Sequence, residues 1–411
     1  MPCTRPFVRL ATALVALALI TSVRAAEKPA SCCVATVEAQ VPDGTGTLYL
    51  TGNLESLGPW KADALAMSGD GSLRCATVTV PSGTLFEYKF TLGSWDREAV
   101  GPSGMVMGNF RLQVDANTSA QHEIGDFKKD AATYIADWKG SGVLGTLVYW
   151  TDVSSTYLQP ARHVEIWLPP GYSENPTRRY RVLYMSDGQN LFDPRIANTG
   201  VDWGVDEAVV GLVEKGEIEP IIVVGVWSTD ERGAEYSPWH RAPEYAKFLI
   251  NELMPRINRE FRTLTGPENT AHMGSSMGGL LSFYLAIHHP EAFAACGCVS
   301  THFPLSEAVV ANAFANVAIS ANPDETPYVI RDIKNGMTVP KGARLWFDYG
   351  TETLDASYGP THAAVKEWLL TQGQVEGRDF VIRRYAGSAH NEAAWRARLK
   401  DSLRFLYSNS R

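Results

Sequence analysis

The chain has 411 residues, a formal net charge of −8, 45% hydrophobic and 20% charged residues. That composition is ordinary for a globular protein, and the length allows two domains. An acidic chain is a poor match for nucleic acid or an anionic membrane surface, so neither is expected as its main partner.

Residues 1–25 read as a signal peptide. "MPCTRPFVR" is a basic start, "LATALVALALITSV" an apolar core, and Val23-Arg24-Ala25 a small-residue exit. The core is too short to span a bilayer comfortably, so the expectation is cleavage and export, secreted or periplasmic, rather than stable membrane insertion. Export would permit disulfides among the five cysteines that follow. Cys75 with Cys32 or Cys33 is the expected pair. Cys296 and Cys298 are two apart in "FAACGCV", on one face of a strand, and read as small buried residues. The cysteines form no C-x-x-C pairs, and no histidine cluster accompanies them, so neither a metal nor any other cofactor is expected.

Residues 31–127 read as an all-β sandwich. "ATVEAQV", "GTLYLTG", "CATVTV", "LFEYKFTL" and "FRLQVD" are short β-branched or aromatic runs separated by Gly, Pro, Asn and Asp. The sequon Asn117-Thr118-Ser119 lies within this stretch and marks glycosylation only in a host that carries the machinery.

From residue 128 to 411 the pattern changes to α/β. "HVEIWLPP", "RVLYMSD", "PIIVVGVW", "TAHMGSS", "ACGCVST", "RLWFDYG" and "DFVIRRY" read as strands. Between several of them lie helical stretches: "VDEAVVGLVEKG", "YAKFLINELMPRINREF", "LSFYLAIHH" and "THAAVKEWLLTQG". Continuous apolar strands alternating with amphipathic helices predict a mostly parallel sheet covered on both faces. Reactive groups then belong in loops at the carboxyl ends of the strands.

One such loop carries Gly274-Ser275-Ser276-Met277-Gly278, which fits G-x-S-x-G between a strand and a helix. A turn that tight needs neighbours with almost no side chain, and it holds the central hydroxyl outward at a helix N-terminus. Ser276 is therefore the candidate nucleophile. A serine needs a base, and only His362 and His390 lie late enough in the chain for the order serine, acid, histidine. His362 falls in a helix-like run and reads as solvated surface. His390 sits in the loop "YAGSAHNEAAW" before the last helix and is the candidate base. The acid is expected just past "LWFDYG", where Glu352 and Asp355 both qualify, Asp355 being preferred; Asp348 lies inside the strand. An oxyanion would be held by the backbone N–H of Met277 and by that of Gln189, which follows the Asp187-Gly188 turn after "VLYMS". Trp203, Arg232, Glu235, Tyr236 and Trp239 are expected to line the acyl or leaving-group pocket.

With these residues in view, "YRVLYMSDGQNLFD", "RTLTGPENTAHMGSSMGGLLSFYLAIHHPEAFA" and "AHNEAAW" resemble the esterase D-like esterase family over roughly Gly145 to Tyr407. Relatives in that family include enterochelin, feruloyl and acetyl-xylan esterases and the mycolyltransferases. The resemblance implies an α/β-hydrolase fold, catalysis by Ser276 and His390, and an oxyanion hole at Gln189 and Met277. It leaves Asp355 and Glu352 both open as the acid.

The first region, through "LTGNLESLGPWKADALAMS", "FEYKFTLGSWDREAV" and "NFR", resembles the starch-binding carbohydrate-binding module. The resemblance implies sugar binding by Trp60, Lys89 and Asn109, with Trp95 near the place of a second stacking ring. The competing reading is a spacer whose Trp60 packs the core.

The combined expectation is an exported serine carboxylic ester hydrolase working through an acyl-enzyme on carbohydrate-linked acyl or feruloyl esters. Three alternatives stand beside it: a siderophore or other small-ester hydrolase, an acyltransferase to a sugar acceptor, and a non-catalytic glycan-binding protein.

Overall fold

The structure is a computed structural model that describes residues 32–58, 60–102, 106–129, 142–306 and 326–408. The expected leader over residues 1–25 lies outside them, as do residues 130–141, just after the expected start of the second region at residue 128.

The first region forms strands β1 (Cys32–Gln40), β2 (Tyr49–Gly52), β3 (Leu65–Ala66), β4 (Leu73–Pro81), β5 (Thr84–Thr91), β6 (Ala99–Val100), β7 (Phe110–Val114), β8 (Thr118–Glu123) and β9 (Asp126–Phe127). They pair as β4-β1-β8 and β3-β2-β5-β7, with β6 against β9. Strict alternation drives the packing: Ala35, Val37 and Ala39 of β1 and Phe86, Tyr88 and Phe90 of β5 point into one apolar core. Strand β8 was not foreseen, because "TSAQHE" offers no apolar alternation; it runs parallel to β1 and carries Thr118 and Ser119 of the sequon.

The register of β1 against β4 corrects the expected disulfide. Cys75 lies opposite Glu38, whereas Cys33 lies opposite Val80 and Cys32 opposite Pro81. Five or more residues of strand separate the sulfurs, roughly 16 Å, which no disulfide spans.

The second region forms strands β10 (Thr146–Val153), β11 (Arg162–Leu168), β12 (Arg181–Ser186), β13 (Ile221–Val226), β14 (Thr270–Ser275), β15 (Ala295–Val299), β16 (Arg344–Tyr349) and β17 (Phe380–Arg384). Their order in the sheet is β10-β11-β13-β12-β14-β15-β16-β17. The pairings β10–β11 and β11–β13 are antiparallel, and all the others are parallel. Only β10, with its mixed run "TLVYWTDV", was not singled out in the sequence.

Alternate residues of the central strands feed two cores, one on each face. Val182, Tyr184, Ile222 and Val224 belong to one, Leu183, Met185, Ile221 and Val223 to the other. Helices Met277–His288 and Gly359–Thr371 pack on the first face, and Val205–Glu214 with Glu392–Tyr407 on the second. The long stretch from Ala242 to Glu260 is helical as expected, but Phe248–Leu253 widens into a π turn just before Pro255, which has no N–H to donate to the ladder. This architecture gathers the ends of β12, β14, β15 and β16 on one edge of the sheet.

Candidate active site

At the end of β14 the chain turns from strand to helix within one residue. Ser276 has φ 57° and ψ −119°, a backbone conformation that costs an L-residue on the order of 1–3 kcal/mol. Three hydrogen bonds hold it there: its N–H donates to Val299 O at 2.9 Å, and its carbonyl accepts from Leu280 N at 3.1 Å and His302 N at 3.2 Å. The glycines beside it serve close approach. A Cβ at Gly274 would lie 2.7 Å from the carbonyl carbon of Gly278, and one at Gly279 2.8 Å from Thr301 Oγ1. Met277 opens the following helix, where the first N–H groups have no partner within the helix and the dipole is positive.

His390 meets Asp355 in the loops beyond β16 and β17. Its Nδ1 lies 2.6 Å from Asp355 Oδ1, so a neutral ring carries its proton on Nδ1 and presents Nε2 as the acceptor. Asp355 is fully buried, and its second oxygen accepts from Gly350 N at 2.6 Å and Ser300 Oγ at 2.5 Å. Burial pushes this carboxyl up, but the bonds from His390, Ser300 and Gly350 outweigh it and hold the group below the usual carboxylate range. Ser300 also accepts from Trp395 Nε1 at 3.0 Å and from Arg398 at 2.6 Å, and Arg398 pairs with Asp348 at 2.9 Å. Glu352 is exposed, and its carboxylate contacts only the neighbouring Thr351 hydroxyl among the described residues. Of the two acids left open by the sequence, Asp355 is the one brought to His390.

Tyr358 ties this pair to the serine. Its hydroxyl lies 2.6 Å from Nδ1 of His302, whose backbone N–H donates to Ser276 O, while its ring stands edge-on to His390 at 5.8 Å. Burial pushes Tyr358 well above its ordinary value and His302 down to about 3, so both are neutral at neutral pH. Sequence reasoning missed Tyr358, His302, Ser300, Trp395 and Arg398; the spacing of Tyr358 three residues after Asp355 was the one local hint. The structure also corrects His362, which is buried rather than solvated and lies 2.9 Å from Tyr358 O through Nδ1.

The turn after β12 completes the edge. Asp187 sits in the left-handed region (φ 57°), and a Cβ at Gly188 would come 2.7 Å from the carbonyl carbon of Gly225, so glycine lets the turn lie on β13. The Gln189 carboxamide is clamped to Ser228, donating to Oγ at 2.6 Å and accepting from N–H at 3.1 Å. Asp187 forms a two-bond pair with Arg232, at 2.6 and 2.8 Å. Asp187 Oδ2 lies 3.6 Å from where a Cβ at Gly278 would be, so this turn and the serine turn are neighbours.

The expected pocket residues divide. Arg232 lines a cleft, but the others do not. Trp203 is a core residue packed on Trp395, and Glu235 is buried with both oxygens on Arg162, at 2.7 and 2.9 Å. Tyr236 is buried with its hydroxyl accepting from Asp187 N at 3.3 Å, and Trp239 donates to Asp332 at 2.7 Å. After β13 the chain folds back as the short helix Arg232–Glu235, which turns these side chains inward.

The cleft has a volume of about 1040 Å³ and lies between the sandwich and the α/β sheet. Trp60, Lys89, Trp95 and Asn109 line it together with Gln189, Ser228 and Arg232. Trp60 and Trp95 stand 6.5 Å apart between ring centroids, tilted by 41°. Lys89 departs from its expected role. It is only 6% exposed, pairs with Glu98, and donates to Asn198 O at 2.8 Å, so its charge is spent on the seam between the two regions. The group of carboxylates close enough to share a cation, Asp202, Asp206 and Glu207, already holds the Arg396 guanidinium, at 2.7 Å from Asp202 and 2.9 Å from Glu207. Among the described residues no helix is long and apolar enough to cross a membrane.

Two family models match the chain: one described as "Putative esterase" over residues 155–406, and one described as "Starch binding domain" over residues 36–122. Among curated proteins, an endo-1,4-beta-xylanase/feruloyl esterase of Xylanibacter ruminicola is 28% identical over 181 residues, covering 40% of this chain and 22% of that protein. An uncharacterized protein of Bacillus subtilis is 23% identical over 152 residues, covering 34% of this chain and 56% of its own length. The chain thus spans about half or less of the length of these relatives. A solved enterochelin esterase from Shigella flexneri shares the fold at 14% identity, with a TM-score of 0.51 and coverage of 90% of this chain and 91% of that one.

Proposed function

The chain belongs to the Putative esterase family, and from that premise we propose that it is an exported serine ester hydrolase acting through an acyl-enzyme on carbohydrate-linked acyl or feruloyl esters. The observation that carries the reading is the pairing of His390 with buried Asp355 beside the strained Ser276. His390 Nε2 takes the proton of Ser276 Oγ as that oxygen attacks the ester carbonyl carbon. The N–H groups of Met277 and Gln189 hold the resulting oxyanion. Collapse breaks the ester C–O bond, and the alcohol leaves with the proton from His390. A water molecule, deprotonated by His390, then releases the acid and restores Ser276. Asp355 keeps the imidazole in the tautomer that this sequence requires.

Export rests on the reading of residues 1–25. The carbohydrate side of the substrate is supported by the starch-binding match and by the similarity to a xylanase/feruloyl esterase. The test is hydrolysis of short-chain and feruloyl chromogenic esters by the protein lacking residues 1–25 and by its Ser276→Ala variant. The expected outcome is turnover by the parent and a loss of about 10³-fold or more in the variant. Equal rates in both, or an inert parent on every ester, contradict the reading.

A further inference from the structure

The sandwich is not set apart from the hydrolase region. Glu98 of the sandwich is buried between Lys89 and Lys128, and Lys89 reaches across to the carbonyl of Asn198 at 2.8 Å. On the same seam a Cβ at Gly200 would lie 2.4 Å from Val106 O, so the loop after β12 and the sandwich backbone are in direct contact. The two tryptophans that an isolated module would offer to solvent therefore form one wall of the cleft, whose other wall is Gln189, Ser228 and Arg232.

The charges on these walls say what the cleft can hold. Its cations are already engaged: Lys89 and Lys128 by Glu98, Arg162 by Glu235, Arg195 by Asp193 and Arg232 by Asp187, and Lys129 too has a partner. Carboxylates face each other across the opening, with Asp96 of the sandwich close enough to Asp230 to add to burial in raising its carboxyl. Among the described residues, an anionic ligand would meet no uncommitted positive charge there. A neutral, hydroxyl-rich ring finds two aromatic faces for its apolar side, with Asn109, Ser228 and the acids for its hydroxyls.

We infer that the sandwich and the hydrolase region form one composite site, in which the sugar of a neutral glycan ester stacks on the surface that Trp60 and Trp95 form together while its acyl carbonyl reaches Ser276 past the Gln189 turn. This rests on the ester hydrolase reading above and fixes the leaving group. The C–O bond to the sugar breaks, the sugar hydroxyl departs with the proton from His390, and the acyl group stays on Ser276 Oγ. The sandwich is on this account a specificity element of the catalytic cleft rather than a tether that holds the enzyme near a polymer.

The experiment compares the parent with Trp60→Ala, Trp95→Ala and the conservative Trp60→Phe and Trp95→Phe variants. Each is assayed on 4-nitrophenyl acetate and on acetylated xylo- and malto-oligosaccharides too short to bridge separate sites. Each alanine variant is expected to lower the ratio of kcat/KM on the oligosaccharide ester to that on 4-nitrophenyl acetate by about tenfold, mainly through KM, with phenylalanine restoring most of it. An unchanged ratio overturns the composite site, whether both activities fall together or neither does. Trp-dependent turnover of a ferric triscatecholate ester in place of the sugar esters overturns the choice of a neutral glycan. Should the parent hydrolyse no ester at all, the hydrolase reading itself fails. Quenching of tryptophan emission by maltoheptaose, lost in the alanine variants, would in that case establish the sugar subsite alone, and its absence would overturn both.

Discussion

At the scale of single residues the site depends on how one carboxylate is held. Asp355 has no solvent contact, and its oxygens are met by His390, Ser300 and Gly350. Gly350 leaves no room for a side chain here: a Cβ would lie 3.1 Å from Asp355 Oδ2 and 2.0 Å from Ser388 O. Replacing Asp355 by Asn offers His390 an amide in place of a charge, which favours the wrong tautomer. Asp355→Asn is accordingly expected to lower kcat by about 10⁴-fold, while Glu352→Gln, a change at an exposed side chain, stays within about twofold of the parent. Steady-state kinetics on one chromogenic ester distinguish them, and the reverse pattern would assign the acid to Glu352. Ser276 and His390 were legible in the sequence because glycine spacing and chain order single them out. The acid was not, because two carboxylates three residues apart differ only in which of them the Ser300–Arg398 network can reach, and those partners lie 55 residues before Asp355 and 43 after it.

At the scale of elements, three buried histidines lie in or beside the parts that carry the site. His272 is on β14 below the serine, with Nδ1 2.8 Å from Ser282 Oγ; His302 follows β15; His362 lies in the helix Gly359–Thr371. Reading His362 as surface failed because it falls on the buried stripe of this helix: Thr361, His362, Val365, Trp368 and Leu369 lie on one face and are all buried, while Ala363, Glu367 and Leu370 on the other are exposed. Burial pushes His272 and His302 down to about 3 and His362 to about 4, from 6.5. Between those values and 6.5 the unfolded chain binds protons that the native chain refuses, so stability rises with pH across that window and is lost as pH falls from 6.5 toward 4. Each histidine contributes up to about 2 kcal/mol of that loss by pH 5. Urea unfolding at pH 7.5 and pH 5.0 is expected to show a markedly lower midpoint at the acid end. Equal midpoints would mean that the three rings are protonated in the native state.

At the scale of the whole molecule, the α/β order of strands and the all-β character of the first region could be read from periodicity and from the resemblances. How the two regions meet could not. The contact between Lys89 and Asn198 joins residues 109 positions apart, and nothing near either of them in sequence marks it. A lysine read as a sugar ligand thus turns out to clasp the seam, and tryptophans read as a separate binding face line the same cleft as the Gln189 turn. The chemistry proposed for that cleft still depends on one atom, Ser276 Oγ. The most direct measurement is treatment of the folded protein with an alkyl fluorophosphonate followed by peptide mass spectrometry. The account predicts one phosphonyl group, on the peptide carrying Ser276, formed together with loss of esterase activity and absent from Ser276→Ala. Full inactivation with the label on another residue, or an active enzyme whose Ser276 stays unlabelled, would contradict it.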